Sequence, residues 1–323
     1  MILLLSQTNF EYTTDTVYDW ITHLGGNAIR VNGEDLLDPG NFSILLTNDT
    51  KELIYNDINI DDINIIWYRR WLKLDYKLHP NDQLHSYFKR EFYSFTQYFF
   101  GLFDQNKWYN NHGYFIDFPS KTEQLLIAKE VGFIIPETLI TDNKNSLLKF
   151  NAQNQDIVTK CMSEMESFKN KKTKQTEGTF TARVTSNYIN EELTDSFFPS
   201  LFQKEIKKKF EVRVFYDKGD FFSMAIFSAA NKKTEVDFRQ YDKSLPNRNV
   251  PFNLTDCEKK MIEELMRRLS LETGSLDIVY NQDNKLVFLE VNPVGQFGMV
   301  SQPCNYNIEK RIAEKLIALD NEK

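Results

Sequence analysis

Short apolar runs separated by polar turns dominate the first third of the chain. Strands are predicted at 2–5, 28–31, 42–46, 53–55 and 63–68. Residues 16–24 have a helical pattern that ends at the pair Gly25-Gly26. A longer helix is predicted over 83–103, where one apolar stripe recurs at helical spacing and is expected to pack in the core. The stripe consists of Phe88, Phe92, Phe95, Phe99 and Leu102.

From residue 118 onward the pattern predicts mostly antiparallel strands with few helices. Capping boxes at Ser120-Lys121-Thr122-Glu123 and at Thr255 with Glu258 open two helices, which end near residues 132 and 269. Shorter segments predict an extended stretch at 134–140, a helix at 144–150 and a terminal helix at 308–319. The predicted strands are 157–160, 179–185, 201–206, 211–216 and 221–227.

Near the C-terminus, two apolar runs each contain a carboxylate that a buried strand does not normally contain. Asp277 lies in the first run, and Glu290 and Asn292 lie in the second. If Asp283 and Asn284 form a two-residue hairpin loop, Asp277 faces Glu290, and Asn292 shares the same side of the sheet. Like charges opposite each other destabilise a hairpin unless a cation lies between them. Two carboxylates and an amide oxygen suit Mg²⁺ that carries nucleotide phosphates, and a surface hairpin with solvated acids is the alternative.

Composition and charge restrict the partners and the compartment. The chain has 323 residues, enough for about two domains, and its net charge of −7 gives no general attraction for nucleic acid or an anionic membrane. Cys161, Cys257 and Cys304 are far apart and imply no disulfide framework, which favours the cytoplasm. No histidine lies near Cys304 in sequence, so we interpret it as structural. The first residues predict a strand rather than a signal peptide, and no apolar run approaches membrane-spanning length, so a soluble protein is expected.

Lysines must bind any nucleotide phosphate individually, because neither a P-loop nor a Gly-x-Gly-x-x-Gly pattern occurs. Lys121 lies in the first turn of a helix, where the helix dipole disfavours a cation unless an anion is bound nearby. Lys160 ends a strand of buried character. An exposed Lys121 and a snorkelling Lys160 are the alternatives. The lysine-rich stretch 169–178 predicts a mobile loop, which is either a lid over phosphates or a solvated charge run.

A strand edge at 203–206 would offer backbone groups to the edge of an adenine ring. Glu211 and Arg213 follow it and share one face by strand alternation. Glu211 could accept hydrogen bonds from ribose hydroxyls, and Arg213 could clamp a phosphate or a carboxylate. An ordinary cross-strand ion pair is the alternative for both residues.

Taken in chain order, the charged and polar residues described above resemble those of the ATP-grasp superfamily. The series is Lys121, Lys160, Gln203-Lys204-Glu205-Ile206, Glu211-x-Arg213, Asp277 and Glu290-x-Asn292-Pro293. Its most specific part is Leu289-Glu290-Val291-Asn292-Pro293. The resemblance spans the chain and implies a mixed α/β (α+β) fold. It implies a pre-ATP-grasp domain over 1–117, a small antiparallel lid domain over 118–206 and a C-terminal antiparallel-sheet domain over 207–323. ATP would lie between the last two domains, with Mg²⁺ on Asp277, Glu290 and Asn292. The nucleotide-binding residues implied are Lys121, Lys160, Gln203, Lys204, Ile206 and Glu211.

Three further segments look like the peptide maturases of graspetides, the microviridin-like ω-ester peptides. They are Ile66-Trp67-Tyr68-Arg69-Arg70-Trp71, Val236-Asp237-Phe238-Arg239-Gln240-Tyr241-Asp242 and Val294-Gly295-Gln296-Phe297. Residues 301–309 look similar to the branch called grasp-with-spasm. Such enzymes use ATP to activate an Asp or Glu side chain of a ribosomally made precursor peptide. A Ser or Thr hydroxyl, or a Lys amine in some relatives, then closes a macrolactone or macrolactam. The stretch 169–178 departs from the wider superfamily because Gly178 is its only glycine.

The resemblance also suggests roles for several charged residues. Arg213 and Arg239 would orient the substrate carboxylate and steady its acyl phosphate. Asp237 is a candidate general base, with a turn or surface acid as the alternative. Arg69 and Arg70 could meet an acidic core peptide, and at most one of them does so directly because adjacent strand residues point oppositely.

Three other functions fit the same residues. They are an amino-acid ligase resembling ribosomal-protein glutamate ligases, a small-molecule kinase of the same fold, and a non-catalytic ATP-binding protein. A precursor-peptide gene beside this one would favour the macrocyclase, and retained phosphate on the product would indicate the kinase. Intact metal ligands and both lysines disfavour a non-catalytic protein. The sequence leaves the oligomeric state open, a homodimer among the options, and predicts neither nucleic acid nor membrane as a partner.

Overall fold

The computed structural model describes residues 1–8, 11–37, 40, 42–55, 58–71, 79–110, 112–113, 118–163, 167–169, 176–240 and 242–323. The chain divides into two compact units. Residues 1–113 and 307–323 form the first unit, and residues 114–306 form the second. In the described ranges, no helix has the length and apolar character needed to cross a membrane.

The first unit is an α/β unit, as predicted. Its parallel sheet has the order β2 (Ala28–Asn32), β1 (Ile2–Ser6), β6 (Ile65–Tyr68), and the apolar residues of β1 are buried. A separate antiparallel ribbon contains β3 (Phe42–Leu46), β4 (Lys51–Tyr55) and β5 (Ile58–Asn59). Its helices are α1 (Tyr12–His23), α2 (Asp82–Gly101) and α7 (Ile308–Asn321), and α1 packs against α7.

The predicted apolar stripe of α2 is only partly in the core. Phe92, Phe99 and Leu102 are buried, but Phe88 is 42% exposed. The ring of Phe88 contacts the rings of Tyr87 and His79. The prediction is wrong at Phe88 because the first turns of α2 lie outside the core, which only the later turns of the helix cover.

Two antiparallel sheets form most of the second unit. The smaller sheet has the order β11 (Ala182–Val184), β8 (Ile157–Lys160), β12 (Ser196–Lys204), β7 (Thr138–Asn143). The larger sheet has the order β15 (Arg248–Pro251), β14 (Asp220–Phe227), β13 (Lys208–Asp217), β16 (Thr273–Asn281), β17 (Leu286–Asn292). The helices of the unit are α3 (Lys121–Val131), α4 (Lys144–Asn154), α5 (Asp256–Arg268) and α6 (Gly298–Cys304).

Both predicted capping boxes are present. At the start of α3, the Glu123 carboxylate accepts from the Ser120 amide at 2.7 Å, and at the start of α5 the Glu258 carboxylate accepts from the Thr255 amide at 2.8 Å. Gly132 ends α3 with φ = 111°, a left-handed conformation that glycine adopts without strain. The capping box and Gly132 thus fix the two ends of α3, whose first residue is Lys121.

Some predicted elements need correction. The stretch 169–178 is not a simple loop, because its ends belong to β9 (Ser167–Lys169) and β10 (Thr176–Gly178), which pair antiparallel, while 170–175 lie outside the described residues. Helix α6 was missed because it is short and contains Pro303. The domain boundaries after 117 and 206 remain predictions, and residues 114–117 are also outside the described ranges.

Candidate active site

The hairpin of β16 and β17 places Asp277 directly opposite Glu290, as predicted, although the predicted loop is wrong. The Asn281 amide donates to the Lys285 carbonyl at 3.1 Å, so residues 282–284 form a three-residue loop. This loop shifts the pairing by one position. A bulge that leaves Leu289 unmatched shifts it back. The two irregularities cancel, and the two carboxylates face each other.

Lys121 and Lys160 converge on Glu290. Lys121 begins α3 and Lys160 ends β8, and their Nζ atoms lie 3.1 Å and 3.7 Å from the same oxygen, Glu290 Oε2. Lys121 also donates to the carbonyl oxygen of Cys161 at 3.2 Å. Their side chains are only 18% and 12% exposed, so Lys121 is not an exposed lysine and Lys160 does not extend into solvent.

Arg213 pairs with the other carboxylate of the hairpin. It lies opposite Asp277 across β13 and β16, and its Nη1 donates to both carboxylate oxygens at 2.7 and 2.9 Å. This is the cross-strand ion pair that the sequence left as an alternative. In the described part of the chain, the buried Nε of Arg213 has no hydrogen-bond partner. The pair therefore leaves the Nε donor of the guanidinium for a further group.

Burial and charge act against each other in this cluster. Burial lowers the pKa of Lys160, and the attraction of Glu290 only partly offsets this. Burial also raises the pKa of Asp277 despite the charge of Arg213. For Glu290, burial alone would raise the pKa, but Lys160 and Lys121 outweigh it and the pKa is lowered. Two ammonium groups share one carboxylate oxygen, which leaves positive charge that an anion such as phosphate would neutralise.

The hairpin supplies oxygen ligands that fit Mg²⁺. Asp277 and Glu290 contribute carboxylates, and Asn292, whose Oδ1 accepts from the Val294 amide at 3.0 Å, contributes an amide oxygen from the end of β17. Among the described residues, no group of three or more His, Cys, Asp or Glu side chains could hold a metal by itself. Mg²⁺ is usually bound by one or two carboxylates together with substrate phosphates, so this donor set matches a metal that binds with a nucleotide.

Glu211 has one oxygen available for a ligand. Its Oε1 accepts from Lys208 and, at 3.0 Å, from Ser228 Oγ, whereas its buried Oε2 has no partner in the described chain. Burial raises the pKa of Glu211, and the charge of Lys208 offsets this only in part. A buried acceptor without a partner is costly, and a ligand hydroxyl would satisfy it.

Lys208 was not identified from the sequence. Lys208 and Glu211 are three residues apart and would point to opposite faces of a regular strand. A register shift between Lys208 and Phe210 brings them to the same side. No local sequence signal indicates that irregularity.

The segment 203–206 has fewer free backbone groups than expected. The amides of Lys204 and Glu205 donate to the carbonyls of Glu137 and Asp156, each at 2.9 Å. Within the described ranges, the amide of Ile206 makes no hydrogen bond. The side chain of Gln203 donates to Thr138 Oγ1 at 3.0 Å and is buried. The backbone N–H of Ile206 is therefore the donor that this strand edge offers to an adenine ring.

Asp237, which is buried, and Arg239, which is partly exposed, form an ion pair in the loop after β14. Arg239 donates through Nε at 2.8 Å and Nη2 at 2.7 Å, and the Thr181 amide donates to Asp237 Oδ2 at 3.0 Å. Asp237 is 4% exposed, so the interpretation as a surface acid is wrong. Burial would raise the pKa of Asp237, but the hydrogen bonds and charge of Arg239 outweigh it and lower the pKa. A carboxylate with a lowered pKa is a weak base, which argues against Asp237 as the general base.

One cleft in the second unit contains most of the predicted site residues. Its empty space, including the open mouth, is about 890 Å³. Apolar side chains such as Val158, Val279 and Leu289 form part of its wall. The predicted residues that line it are Lys160, Gln203, Lys204, Ile206, Glu211, Arg213, Arg239, Asp277 and Glu290. Lys121 adjoins this set through its ion pair with Glu290.

Gln124 is a second residue that the sequence did not indicate. Its buried Oε1 accepts from the Val291 amide at 2.9 Å, and its Nε2 donates to the Pro119 carbonyl at 3.0 Å. It thus ties α3 to β17 between Glu290 and Asn292. The partners are 167 residues apart, so no local pattern predicts the contact.

In the first unit, Arg69 and Arg70 both pair with the buried carboxylate of Glu11, Arg69 through Nε at 3.0 Å. The side chain of Arg69 is 4% exposed and that of Arg70 is 27% exposed. Arg70 is therefore the more accessible of the two. Contact of either residue with a core peptide stays a prediction.

Comparison with known proteins identifies the fold. No protein-family model and no curated protein matches the chain. A RiPP-associated ATP-grasp ligase of Chryseobacterium gregarium, solved with ADP and a leader and core peptide, superposes with a TM-score of 0.83 at 24% identity, covering 99% of this chain and 96% of that one. The macrocyclase MdnC of Microcystis aeruginosa MRC, bound to the precursor peptide MdnA, gives 0.80 at 22% identity over 98% and 99% of the chains. The ATP-grasp ligase PsnB, solved with minimal precursor, Mg and ADP, gives 0.77 at 17% identity over 99% and 97%. The chain therefore has the fold of the ATP-grasp ligases.

Proposed function

We propose that the protein is an ATP-dependent peptide macrocyclase. It phosphorylates an Asp or Glu side chain of a ribosomally made precursor peptide. A Ser or Thr hydroxyl, or a Lys amine, then displaces the phosphate and closes an ω-ester or ω-amide ring. The observation that carries the proposal is the convergence of Lys121 and Lys160 on Glu290, opposite Asp277, within one cleft.

The similar structures support this choice among ATP-grasp activities. The Chryseobacterium gregarium ligase was solved with ADP and a leader and core peptide, MdnC with its precursor peptide, and PsnB with precursor, Mg and ADP. Each matches this chain over nearly its whole length. A precursor peptide, ATP and Mg²⁺ are accordingly the proposed partners of this chain.

In the proposed site, Asp277, Glu290 and Asn292 hold Mg²⁺, which neutralises negative charge on the nucleotide phosphates when it is bound. Lys121 and Lys160 supply further positive charge for the phosphates. Both lie within 4 Å of Glu290, so their ammonium groups are held next to a proposed metal ligand. Placing charge in advance reduces the reorganisation that the reaction requires.

The remaining charged residues of the cleft have separate proposed roles. The free Oε2 of Glu211 accepts from a ribose hydroxyl, and the Ile206 amide faces the adenine edge. Arg213 and Arg239 orient the substrate carboxylate. Their present partners, Asp277 and Asp237, hold the two guanidinium groups in defined positions.

We also propose a cytoplasmic location. Cys161, Cys257 and Cys304 are free thiols. Their state is compatible with a reducing compartment.

The decisive experiment measures the intact mass of a candidate precursor peptide encoded beside this gene, after incubation with the protein, ATP and Mg²⁺. We expect successive losses of one water mass per ring, and none when ATP is omitted. Mild alkaline hydrolysis should restore the mass of an ester but not of an amide. Gain of an amino-acid mass or retention of a phosphate mass would instead indicate a ligase or a kinase and would refute the proposal.

A further inference from the structure

A three-membered ion-pair network lies at the cleft, apart from the proposed phosphate and metal residues. Arg183 of β11 donates through Nε and Nη2 to the two carboxylate oxygens of Glu205, at 2.7 and 2.6 Å. Its Nη1 donates to Glu235. The two contacts with Glu205 form a bidentate pair, which fixes the orientation of the guanidinium plane.

The network joins three parts of the second unit. Glu205 immediately follows β12 and precedes Ile206, and Glu235 lies two residues before Asp237. Asp237 in turn holds the guanidinium of Arg239. Arg183 therefore connects the end of the smaller sheet with the loop that presents Arg239 to the cleft.

A second set of contacts connects the same two regions. The Thr181 amide donates to Asp237 Oδ2 at 3.0 Å, and Gln240 Nε2 lies 3.5 Å from the Thr181 carbonyl oxygen. Thr181 is two residues before Arg183 on the same segment. The edge of the smaller sheet is thus attached to residues 235–240 at both ends of that stretch.

Charge makes Arg183 necessary for this arrangement. Glu205 and Glu235 both line the cleft, and their side chains are 17% and 28% exposed. The hydrogen bonds that Arg183 donates to both glutamates raise its pKa. Without the guanidinium, the two carboxylates would lose the cation that both of them contact, and their mutual repulsion would disfavour the present position of the loop.

We propose that Arg183 is a positioning residue that holds residues 235–240 against the smaller sheet and thereby sets the location of Arg239. The effect of Arg183 on catalysis rests on the proposed function, whereas its effect on the position of residues 235–240 does not. Arg183 is itself 46% exposed on its side chain, so its contribution to global stability is small. Its effect is local.

Hydrogen–deuterium exchange of the full chain tests the positioning directly. In Arg183→Ala, the amides of Thr181 and Arg239, both of which donate to Asp237, should exchange about tenfold faster than in wild type. The matched control is Arg268→Ala, because Arg268 also bridges two glutamates, Glu264 and Glu130, on α5 and α3. This control should leave both amides at the wild-type rate. Wild-type exchange in Arg183→Ala would overturn the proposal.

Kinetics with a precursor that the wild-type protein cyclises tests the catalytic consequence. Arg183→Ala should raise KM for the peptide about tenfold and change KM for ATP less than about twofold, since a small displacement of an orienting group weakens its action strongly. The double variant with Arg183→Ala and Arg239→Lys should raise KM for the peptide by less than the product of the increases in the two single variants. Strictly multiplicative effects, or an unchanged peptide KM, would overturn the catalytic role. If no peptide is cyclised by wild type, the proposed function fails, and the exchange result alone decides the positioning.

Discussion

Replacing Glu290 with glutamine is expected to reduce product formation by about 100-fold or more, because it removes one charged metal ligand without changing side-chain volume. The carboxylate faces Asp277 and binds two lysines, so the substitution also removes the counter-charge of Lys121 and Lys160. The loss should appear in the intact mass of the precursor as missing dehydrations. Normal ATP turnover by this variant would refute the metal assignment.

A matched control separates this loss from a general charge effect. Glu264 also accepts from two cationic side chains, Arg267 and Arg268, but it lies on α5 and does not line the cleft. Glu264→Gln should cyclise the precursor at the wild-type rate. Circular dichroism should show the secondary structure of the wild-type protein for both variants.

Replacing Arg213 with alanine is expected to impair peptide processing and stability together. Asp277 would lose the partner that contacts both of its oxygens, and breaking a buried ion pair of this kind costs about 3–5 kcal/mol. The midpoint of chemical denaturation should fall accordingly. Product formation should fall by about tenfold or more, since the substrate carboxylate loses an orienting group.

A second variant separates the two effects of Arg213. Arg213→Lys keeps a positive charge near Asp277 but lacks the unpartnered Nε donor of the guanidinium, so it should retain most of the stability and still lose activity. Arg248→Ala is the control, because Arg248 belongs to the same sheet and lies over the Phe227 ring at 5.4 Å. Full activity of Arg213→Ala would contradict the proposed role of Arg213.

Local sequence patterns predicted the elements of this fold well where the pattern itself determines the structure. Both capping boxes start helices at the expected residues, and strand alternation correctly placed Glu211 and Arg213 on one side of β13. The resemblance to the ATP-grasp superfamily correctly anticipated the fold that the structural comparisons show. Hydrophobic periodicity and helix capping depend on residues that are close together in the chain, so both can be recognised in a single sequence.

Irregular and long-range features were not predictable in the same way. The pairing of Asp277 with Glu290 was predicted through a two-residue loop, and it occurs only because a bulge at Leu289 offsets a longer loop. Lys208 reaches Glu211 through another register shift. Arg183 contacts glutamates 22 and 52 residues away, distances over which no sequence period operates. Such contacts depend on how the sheets twist and pack, which apolar patterning does not specify.

Asp237 shows how tertiary context changes the interpretation of a residue. From the sequence, Asp237 is a candidate general base, with a turn or surface acid as the alternative. In the structure it is buried against Arg239, and the resulting lowered pKa keeps it ionised and weakly basic. Holding Arg239 is the role that its contacts support.

Calorimetric titration of the wild-type protein with adenylyl imidodiphosphate, with and without Mg²⁺, tests most directly whether the lysine and carboxylate cluster binds a metal–nucleotide complex. We expect saturable binding that is tighter by about tenfold or more when Mg²⁺ is present, equivalent to about 1.4 kcal/mol for each factor of ten. Affinity that is the same with and without Mg²⁺, or no binding at all, would contradict the assignment of Asp277, Glu290 and Asn292.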